Sequence, residues 1–383
     1  MTTDRPAPRR SEASQHRDMV LAEQSERTAS LNEHYERLAF ELNDGDKGNF
    51  LSGWQCVNPF VSSFFANVKR RAERFDYARY TYFDEHVDLA SSIIAMHAKF
   101  DVTQPQSVMC GSGTTSLLFT FVTYLQSIGT TRIYYIPPLY ITLYSALDRY
   151  GIEAVPLSTE QPFEPTFALN LPKTRNNILL LTDPVWYAGI SVAPAIMDEI
   201  VEWQRRTSSL VFVDGSLQYL RWDGTLSEAS ARLDPALTFR LICPAKQLSS
   251  HGYRFSYILL PQSHNRRMIW AYTNIFGPAC VDSIAFGHEA VAAISNRRIP
   301  QELMSLASTR HAYLRENRII ESELTPHCGY FVFERIRAPL PEGYVKVDGK
   351  FFDQKNYPDH IKINLLSPSM KLISSSASEM GQP

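Results

Sequence analysis

Short apolar runs alternate with longer amphipathic stretches through the middle of the chain, from about residue 77 to about residue 260. Runs that are apolar on both faces predict strands buried in a parallel sheet, and apolar residues at helical spacing lie between them. This alternation predicts an α/β domain whose mainly parallel sheet is covered by helices on both faces. The predicted strands are 132–136, 177–181, 210–213, 240–243 and 257–260, and the predicted helices include 115–126, 142–150 and 194–206.

The two ends of the chain have a different texture. Residues 1–30 are rich in Arg, Ser, Glu and Gln with few apolar anchors, which predicts a mobile arm or a loosely held helix. Beyond about residue 298 a helix near 307–321 is followed by strands at 329–333 and 360–364, and the Ser-rich end 374–383 is expected to fray. We therefore expect a smaller α+β domain built from both ends of the chain.

Three regions follow from these patterns. They are a flexible N-terminal arm over 1–30, a small α+β domain formed by 31–75 together with 290–383, and a large domain over 76–289. Ligands of open parallel sheets bind at the carboxyl ends of the strands, so the large domain is expected to carry the site.

Composition and charge exclude several classes of protein. The chain has 383 residues, 44% hydrophobic and 20% charged, which is ordinary for a globular protein. A net charge of −2 without a block of like charges argues against a nucleic-acid partner. The small basic cluster of Lys69, Arg70, Arg71 and Arg74 is interpreted as a solvated helix face.

The five cysteines are scattered and form no C-x-x-C pair, so neither a disulfide framework nor a zinc site is predicted. No stretch is long enough to span a bilayer, and the N-terminus lacks an apolar signal core. We therefore expect a cytoplasmic protein without a membrane partner, and no metal.

Lys246 carries the strongest chemical signal. It follows the predicted strand 240–243, with Gly252 six positions and Arg254 eight positions further on. This spacing resembles the cofactor-lysine signature of fold-type I pyridoxal-phosphate enzymes, the aspartate aminotransferase superfamily. The resemblance implies that Lys246 forms an imine with the aldehyde of pyridoxal 5'-phosphate and that Arg254 contacts the phosphate. His251, within the same segment, is interpreted as a surface histidine rather than a proton shuttle.

Two further elements match this superfamily. Asp214 ends the strand 210–213, and the resemblance implies that it pairs with the pyridine nitrogen and keeps it protonated. Ser112, Gly113 and Thr114 precede an apolar helix and look like the phosphate loop, since small residues and a helix N-terminus suit an anion. The alternatives are a turn residue after a strand for Asp214 and an ordinary helix cap for the loop.

Aromatic residues fill other positions of the resemblance. Tyr140 matches the ring that stacks on the pyridine, although a packed core tyrosine is an equal alternative. Tyr80 matches the tyrosine that reaches the phosphate of the neighbouring subunit, which implies a homodimer, and a core role is again the alternative. Gly53 resembles a glycine that borders the substrate, with Trp54 as a pocket wall.

Three positions depart from the superfamily pattern. Trp186 and Leu217 stand where an asparagine and a tyrosine would contact the phenolic oxygen of the cofactor. Lys362 stands where an arginine would grip the α-carboxylate of the substrate, and lysine lacks arginine's planar fork. Trp186 and Lys362 are still expected at the substrate site, with Arg335 as an alternative cation.

The resemblance implies a mainly parallel seven-stranded sheet and an enzyme that acts on an amino acid or an amino-acid-derived substrate. The missing residues favour specialised, secondary-metabolite biosynthesis. Amino-group transfer is one reaction, and elimination, replacement, cyclisation of a substrate like S-adenosylmethionine, or oxygen-dependent oxidation are the alternatives. A third alternative is a regulatory protein that has kept the fold and lost turnover. In the enzymatic cases Lys246, once displaced by substrate, is the base that moves the Cα proton.

Overall fold

A computed structural model describes residues 12–43, 49–54, 56, 58, 62–101, 104–226, 228–337, 344–345, 347–352, 356–368 and 370. Residues 1–11 of the predicted arm and the predicted frayed end at 374–383 lie outside the described residues.

The described residues form ten α-helices. They are α1 (Glu12–Asn43), α2 (Ser62–Ala72), α3 (Val87–Phe100), α4 (Thr114–Ser127), α5 (Ile141–Arg149), α6 (Pro194–Thr207), α7 (Pro244–Gln247), α8 (Gln262–Phe276), α9 (Val281–Ser295) and α10 (Arg298–Glu316).

Besides three short 3-10 helices (Phe83–Glu85, Ala229–Arg232 and Gly349–Phe352), the described secondary structure has thirteen strands. They are β1 (Asn49–Phe50), β2 (Ser107–Gly111), β3 (Arg132–Tyr135), β4 (Glu153–Pro156), β5 (Ile178–Thr182), β6 (Leu210–Asp214), β7 (Thr238–Ile242), β8 (Ser256–Leu260), β9 (Ile320–Glu321), β10 (Phe331–Ile336), β11 (Tyr344–Val345), β12 (Val347–Asp348) and β13 (His360–Asn364).

The central sheet has seven strands in the order β2-β8-β7-β6-β5-β3-β4. All neighbours are parallel except β8, which runs antiparallel to β2 and β7. The strands β2, β5, β7 and β8 are buried at every position, as expected of strands covered on both faces. The predicted α/β fold and its five predicted strands are confirmed.

One edge of this sheet gathers the chain segments that matter for chemistry. The strands β2, β6 and β7 end there, and β8 begins there because it is antiparallel, with Gly111 opposite Ser256. Asp214 ends β6, α4 starts three residues after β2, and α7 with Lys246 follows β7 directly. The topology therefore brings residues that are distant in sequence to a single edge.

A second, antiparallel sheet has the order β12-β13-β10-β9. The predicted strand at 360–364 is β13, and the strand predicted at 329–333 is β10, with Phe333 opposite Lys362. The helix predicted at 307–321 was wrong at both ends, because α10 begins at Arg298 and ends at Glu316. Pro300 is tolerated in its first turn, and Arg318 at φ 56° has left the helical region. The domain boundaries stay a prediction.

For the N-terminal segment, the structure shows the helical alternative over residues 12–43. Gln24 donates from Nε2 to the carbonyl of Ile152 at 3.2 Å and accepts from the Ala154 amide at 3.0 Å. Arg17 donates to the carbonyl of Gly151 at 3.2 Å. These contacts satisfy backbone groups along the edge strand β4. Within the described part of the chain, no helix is both long and apolar enough to cross a membrane.

Candidate active site

Lys246 lies in the short helix α7 and projects into a cavity of about 560 Å³. Pro244 fixes the first turn of this helix, which places the lysine one turn beyond the end of β7. Its Nζ atom is 5.9 Å from the centroid of the Tyr140 ring. The cavity is lined by Trp54, Cys56, Phe65, Gly113, Thr114, Thr115, Tyr140, Cys243, Ala245, Lys246, Ser249, Ser250, His251, Gly252, Tyr253, Arg254, Phe255 and Tyr330.

The predicted phosphate loop forms one wall with Arg254. Gly113 has φ 87°, and a Cβ atom added there would lie 2.7 Å from Nη2 of Arg254. Helix α4 begins at Thr114, so its unpaired first-turn amides are at the cavity. Ser112 stands beside rather than on the lining, because its amide donates to the Tyr272 hydroxyl at 2.8 Å and its Oγ accepts from that hydroxyl at 3.0 Å.

Asp214 and Tyr140 are close enough for the charge of one to affect the other. Asp214 is 4% exposed, and one of its carboxylate oxygens accepts from the Ser216 amide at 3.2 Å. Burial raises the pKa of Tyr140 to about 12, the charge of Asp214 adds to this, and the charge of Arg254 opposes it. The structure thus brings the two predicted ring contacts together within electrostatic range.

These residues fit pyridoxal phosphate. The missing side chain of Gly113 leaves a cradle for a phosphate that Arg254 and the α4 amides can bind. Tyr140 offers a ring face and Lys246 an amine at the cavity, and Asp214 offers a buried carboxylate that is not among the described lining residues but acts electrostatically on Tyr140. Amine, anion site and carboxylate are the three groups that this cofactor requires.

The wall expected to face the substrate is aromatic, and of its two tryptophans Trp54 lines the cavity whereas Trp186 is not among the described lining residues. Trp54 stacks on Trp186 with ring centroids 5.5 Å apart, and both rings meet Tyr140 edge to face. Lys362 lies behind them, 2% exposed, with Nζ 3.4 Å from the ring centroid of Trp54, 4.2 Å from that of Phe331 and 5.2 Å from that of Trp186. We call these three rings the aromatic cage. Burial holds the pKa of Lys362 well below its ordinary value, and the charge of Lys246 lowers it further.

Several predicted positions lie off the cavity. The carbonyl of Gly53 accepts from Asn364 at 2.9 Å, behind Trp54. Tyr80 is 77% exposed on the surface. Arg335, the alternative cation, pairs with Asp359 at 3.2 Å and with Glu321 at 3.9 Å in a partly exposed cluster.

The positions around Leu217 supply no replacement contact to the cofactor site. Leu217 is buried in the second apolar cluster. Gln218 donates to Ser230 at 2.7 Å, and Tyr219 donates to Asp101 at 2.6 Å. Both polar side chains are therefore hydrogen-bonded to residues that are not among the described lining residues.

His251 corrects a prediction, because it lines the cavity instead of the surface. Its Nε2 atom is 3.1 Å from the Tyr330 hydroxyl, and burial with the charges of Lys246 and Arg254 lowers its pKa to about 4. Cys56 was not predicted at the site either, and burial raises its pKa to about 12. The position of His251 in the sequence, between Lys246 and Arg254, could have indicated that it lies at the cavity. No sequence signal indicated Cys56, because only the tertiary fold brings it to the cavity.

Comparisons with known proteins identify the family and support the fold. A sequence model described as aminotransferase class I and II matches residues 46–339. A search of curated proteins finds no significant match. Solved structures with a similar fold include substrate-bound BacF from Bacillus subtilis (13% identity, TM-score 0.73, covering 92% of this chain and 95% of that chain). Others are N-succinyldiaminopimelate aminotransferase from Mycobacterium tuberculosis (14%, 0.71, 92% and 96%) and the kynurenine aminotransferase of Pyrococcus horikoshii in complex with PMP (13%, 0.70, 92% and 95%).

Proposed function

The chain belongs to the aminotransferase class I and II family, whose cofactor is pyridoxal phosphate, and from this premise we propose that it transfers an amino group through Lys246. The observation that carries the proposal is the convergence of Lys246, Tyr140, Asp214 and Arg254 at one edge of the sheet. The departures at Trp186 and Lys362 support a substrate of specialised biosynthesis.

Each residue has a defined task in this proposal. Lys246 holds the cofactor covalently through its amine. Arg254 and the α4 amides bind the phosphate, and Tyr140 covers the ring and keeps water from one face. The buried carboxylate of Asp214 favours the protonated ring nitrogen. Pyridoxal phosphate, when bound, supplies the electron sink for the bond that breaks at the substrate carbon.

Lys246 also moves the proton. Once it no longer held the cofactor, the Lys246 amine would be free within the same cavity. A free amine at that position would accept the proton from the carbon that bears the substrate nitrogen and would hold it for the next transfer. Its neighbour His251 has a low pKa and stays neutral at neutral pH, so it adds no competing positive charge there.

A homodimer belongs to the same proposal. Tyr77, Tyr80 and Trp270 are 64%, 77% and 64% exposed. The amide of Ala279 donates to the carbonyl of Thr81 at 2.8 Å, which joins the two segments that carry these rings. Exposed rings of this kind suit contact with a second copy of the chain, in which Tyr80 would reach the partner's phosphate site. Light scattering should then give twice the chain mass of 43.6 kDa.

The test is the visible absorption of the purified holoenzyme, compared with Lys246→Ala and with the exposed-lysine control Lys173→Ala. We expect the band of the lysine-bound cofactor in the wild type and the control, and its loss in Lys246→Ala. Amino-group transfer to a carbonyl acceptor should fall to background in Lys246→Ala only, because no other lysine among the lining residues can replace it.

Other outcomes would contradict amino transfer. Product formed without consumption of a carbonyl acceptor would point to elimination, replacement or oxidation. Retention of biological activity by Lys246→Ala would point to a regulatory protein.

A further inference from the structure

The aromatic cage removes Lys362 from the cavity. Trp54 lines the cavity whereas Lys362 is not among the described lining residues. The Nζ atom lies against the Trp54 and Phe331 rings at distances typical of cation–π contacts. To meet a substrate carboxylate, the lysine would have to leave the rings that stabilise it.

Among the described residues, no carboxylate raises the pKa of Lys362. Cys56 is the acidic group that does so, and burial keeps this thiol protonated, with its pKa raised to about 12. The lysine therefore has rings rather than an anion as its partners. Whether it is charged and held by the rings or neutral through burial, it is a poor anchor for a carboxylate.

The other basic residues at the cavity are not available to bind a substrate carboxylate. Of the described lining residues, the basic ones are Lys246, His251 and Arg254. In the proposed function Lys246 binds the cofactor and Arg254 its phosphate, and His251 is neutral because its pKa is about 4. A carboxylate in the remaining space would be buried without a free cation from the described lining residues, which costs several kcal/mol.

The walls of the remaining space suit an apolar group. Trp54, Phe65, Tyr140, Tyr253 and Tyr330 face the cavity. Aromatic walls with few charged groups favour aromatic or alkyl ligands.

Resting on the proposed function, we propose that the substrate is a primary amine without an α-carboxylate, whose aromatic or alkyl group packs against Trp54. In the first half-reaction the amine carbon is oxidised to an aldehyde with the uptake of one water. Its nitrogen and two electrons pass to the cofactor, which becomes its amine form. A second carbonyl compound, an aldehyde or a ketone, then takes the nitrogen and restores the cofactor.

The experiment compares each amine with its own amino acid, because the two differ only by the carboxylate. Holoenzyme is mixed with phenethylamine or phenylalanine, tryptamine or tryptophan, and 3-methylbutylamine or leucine, and conversion of the cofactor to its amine form is followed by absorption. We expect at least about a tenfold higher second-order rate constant for the amine of a pair, since losing one buried uncompensated charge is worth more than 1.4 kcal/mol.

Two outcomes overturn the inference: faster conversion by the amino acids, or conversion by no member of any pair although the Lys246-dependent band is present. Absence of that band before any substrate is added identifies failure of the proposed function instead.

Two variants test the cage directly. Lys362→Met should leave the ratio of amine to amino-acid rate within about threefold of wild type, as should the surface control Arg335→Met. If Lys362 anchors a carboxylate, the amino-acid rate alone falls in Lys362→Met by about tenfold or more. Trp54→Leu should slow phenethylamine more than 3-methylbutylamine, by up to about tenfold, because ring stacking is lost. The band before substrate addition shows that each variant has folded and bound cofactor.

Discussion

The two sides of the cavity are built differently. The cofactor side comes from the ends of β2, β6 and β7 and the start of β8, where the sheet itself fixes Asp214, Lys246 and Arg254. The substrate side comes from the loop that carries Trp186, the segment that carries Trp54, and the antiparallel strand that carries Lys362. Residues held at or beside the edge of the central sheet keep the features expected for the cofactor, whereas residues from the surrounding loops and the second sheet differ, because these can change without altering the central sheet.

The basic side chains are also placed differently on the two sides of the cavity. Lys246 and Arg254 line the cavity and can meet an anion there. Lys362 is withdrawn into the aromatic cage, and its pKa is depressed by burial. One side of the cavity therefore presents cations, which suit the phosphate of the proposed function, and the other side presents aromatic rings.

The largest effect is expected when the buried carboxylate of the cofactor side is neutralised. Asp214→Asn keeps the shape of the side chain and removes the charge that favours a protonated ring nitrogen. Removal of one preorganised electrostatic group typically lowers kcat by about 10²-fold to 10³-fold, and we expect that loss here. The measurement is single-turnover conversion of the bound cofactor by the best substrate.

Asp183→Asn is the matched control, because Asp183 is also buried, follows the neighbouring strand β5, and accepts from the Val192 amide at 2.9 Å. Burial raises its pKa to about 6, so the folded state binds a proton more tightly than the unfolded state. Its contribution to stability is therefore fully present below the ordinary carboxyl pKa of about 4 and is lost as pH rises through about 6. The control should narrow the difference in Tm between pH 5 and pH 8 and change kcat by less than about threefold. An equal loss of kcat in Asp214→Asn and Asp183→Asn would contradict the proposed role of the Asp214 charge in catalysis.

The sequence predicted much of the cofactor side because its signals are local. Lys246 and Arg254 are eight positions apart, and Asp214 follows an apolar run that is a strand. The aromatic cage could not be predicted in this way, since Trp54, Trp186, Phe331 and Lys362 are joined only by tertiary packing. The strand β2 was also missed, although the loop that follows it was recognised.

An intermediate effect is expected at the phosphate loop. Gly113→Ala places a Cβ atom 2.7 Å from Arg254 and strains a residue at φ 87°. Arg254 must move, so we expect cofactor affinity to fall by about tenfold to 100-fold, corresponding to about 1–3 kcal/mol. Gly129→Ala is the matched control, because it has φ 78° and no atom within 4 Å of the added Cβ. Both variants should lose similar thermal stability, and only Gly113→Ala should need more cofactor for half-saturation.

The last prediction concerns Cys56, whose reactivity reports on the charge of the substrate side without any change in activity or sequence. A cation free to face the cavity would lower the pKa of a neighbouring thiol, whereas burial raises that of Cys56 to about 12 and Lys362 opposes this only in part. Alkylation by iodoacetamide, resolved by peptide mass spectrometry, should therefore be about 10³-fold slower at pH 8 than for a thiol of ordinary pKa. The rate should rise about tenfold per pH unit up to pH 10, because only the thiolate reacts. The exposed Cys280 serves as the internal reference. Rapid alkylation of Cys56 at pH 8 would mean that Lys362 stands free of its cage, and the contrast between the two sides of the cavity would be lost.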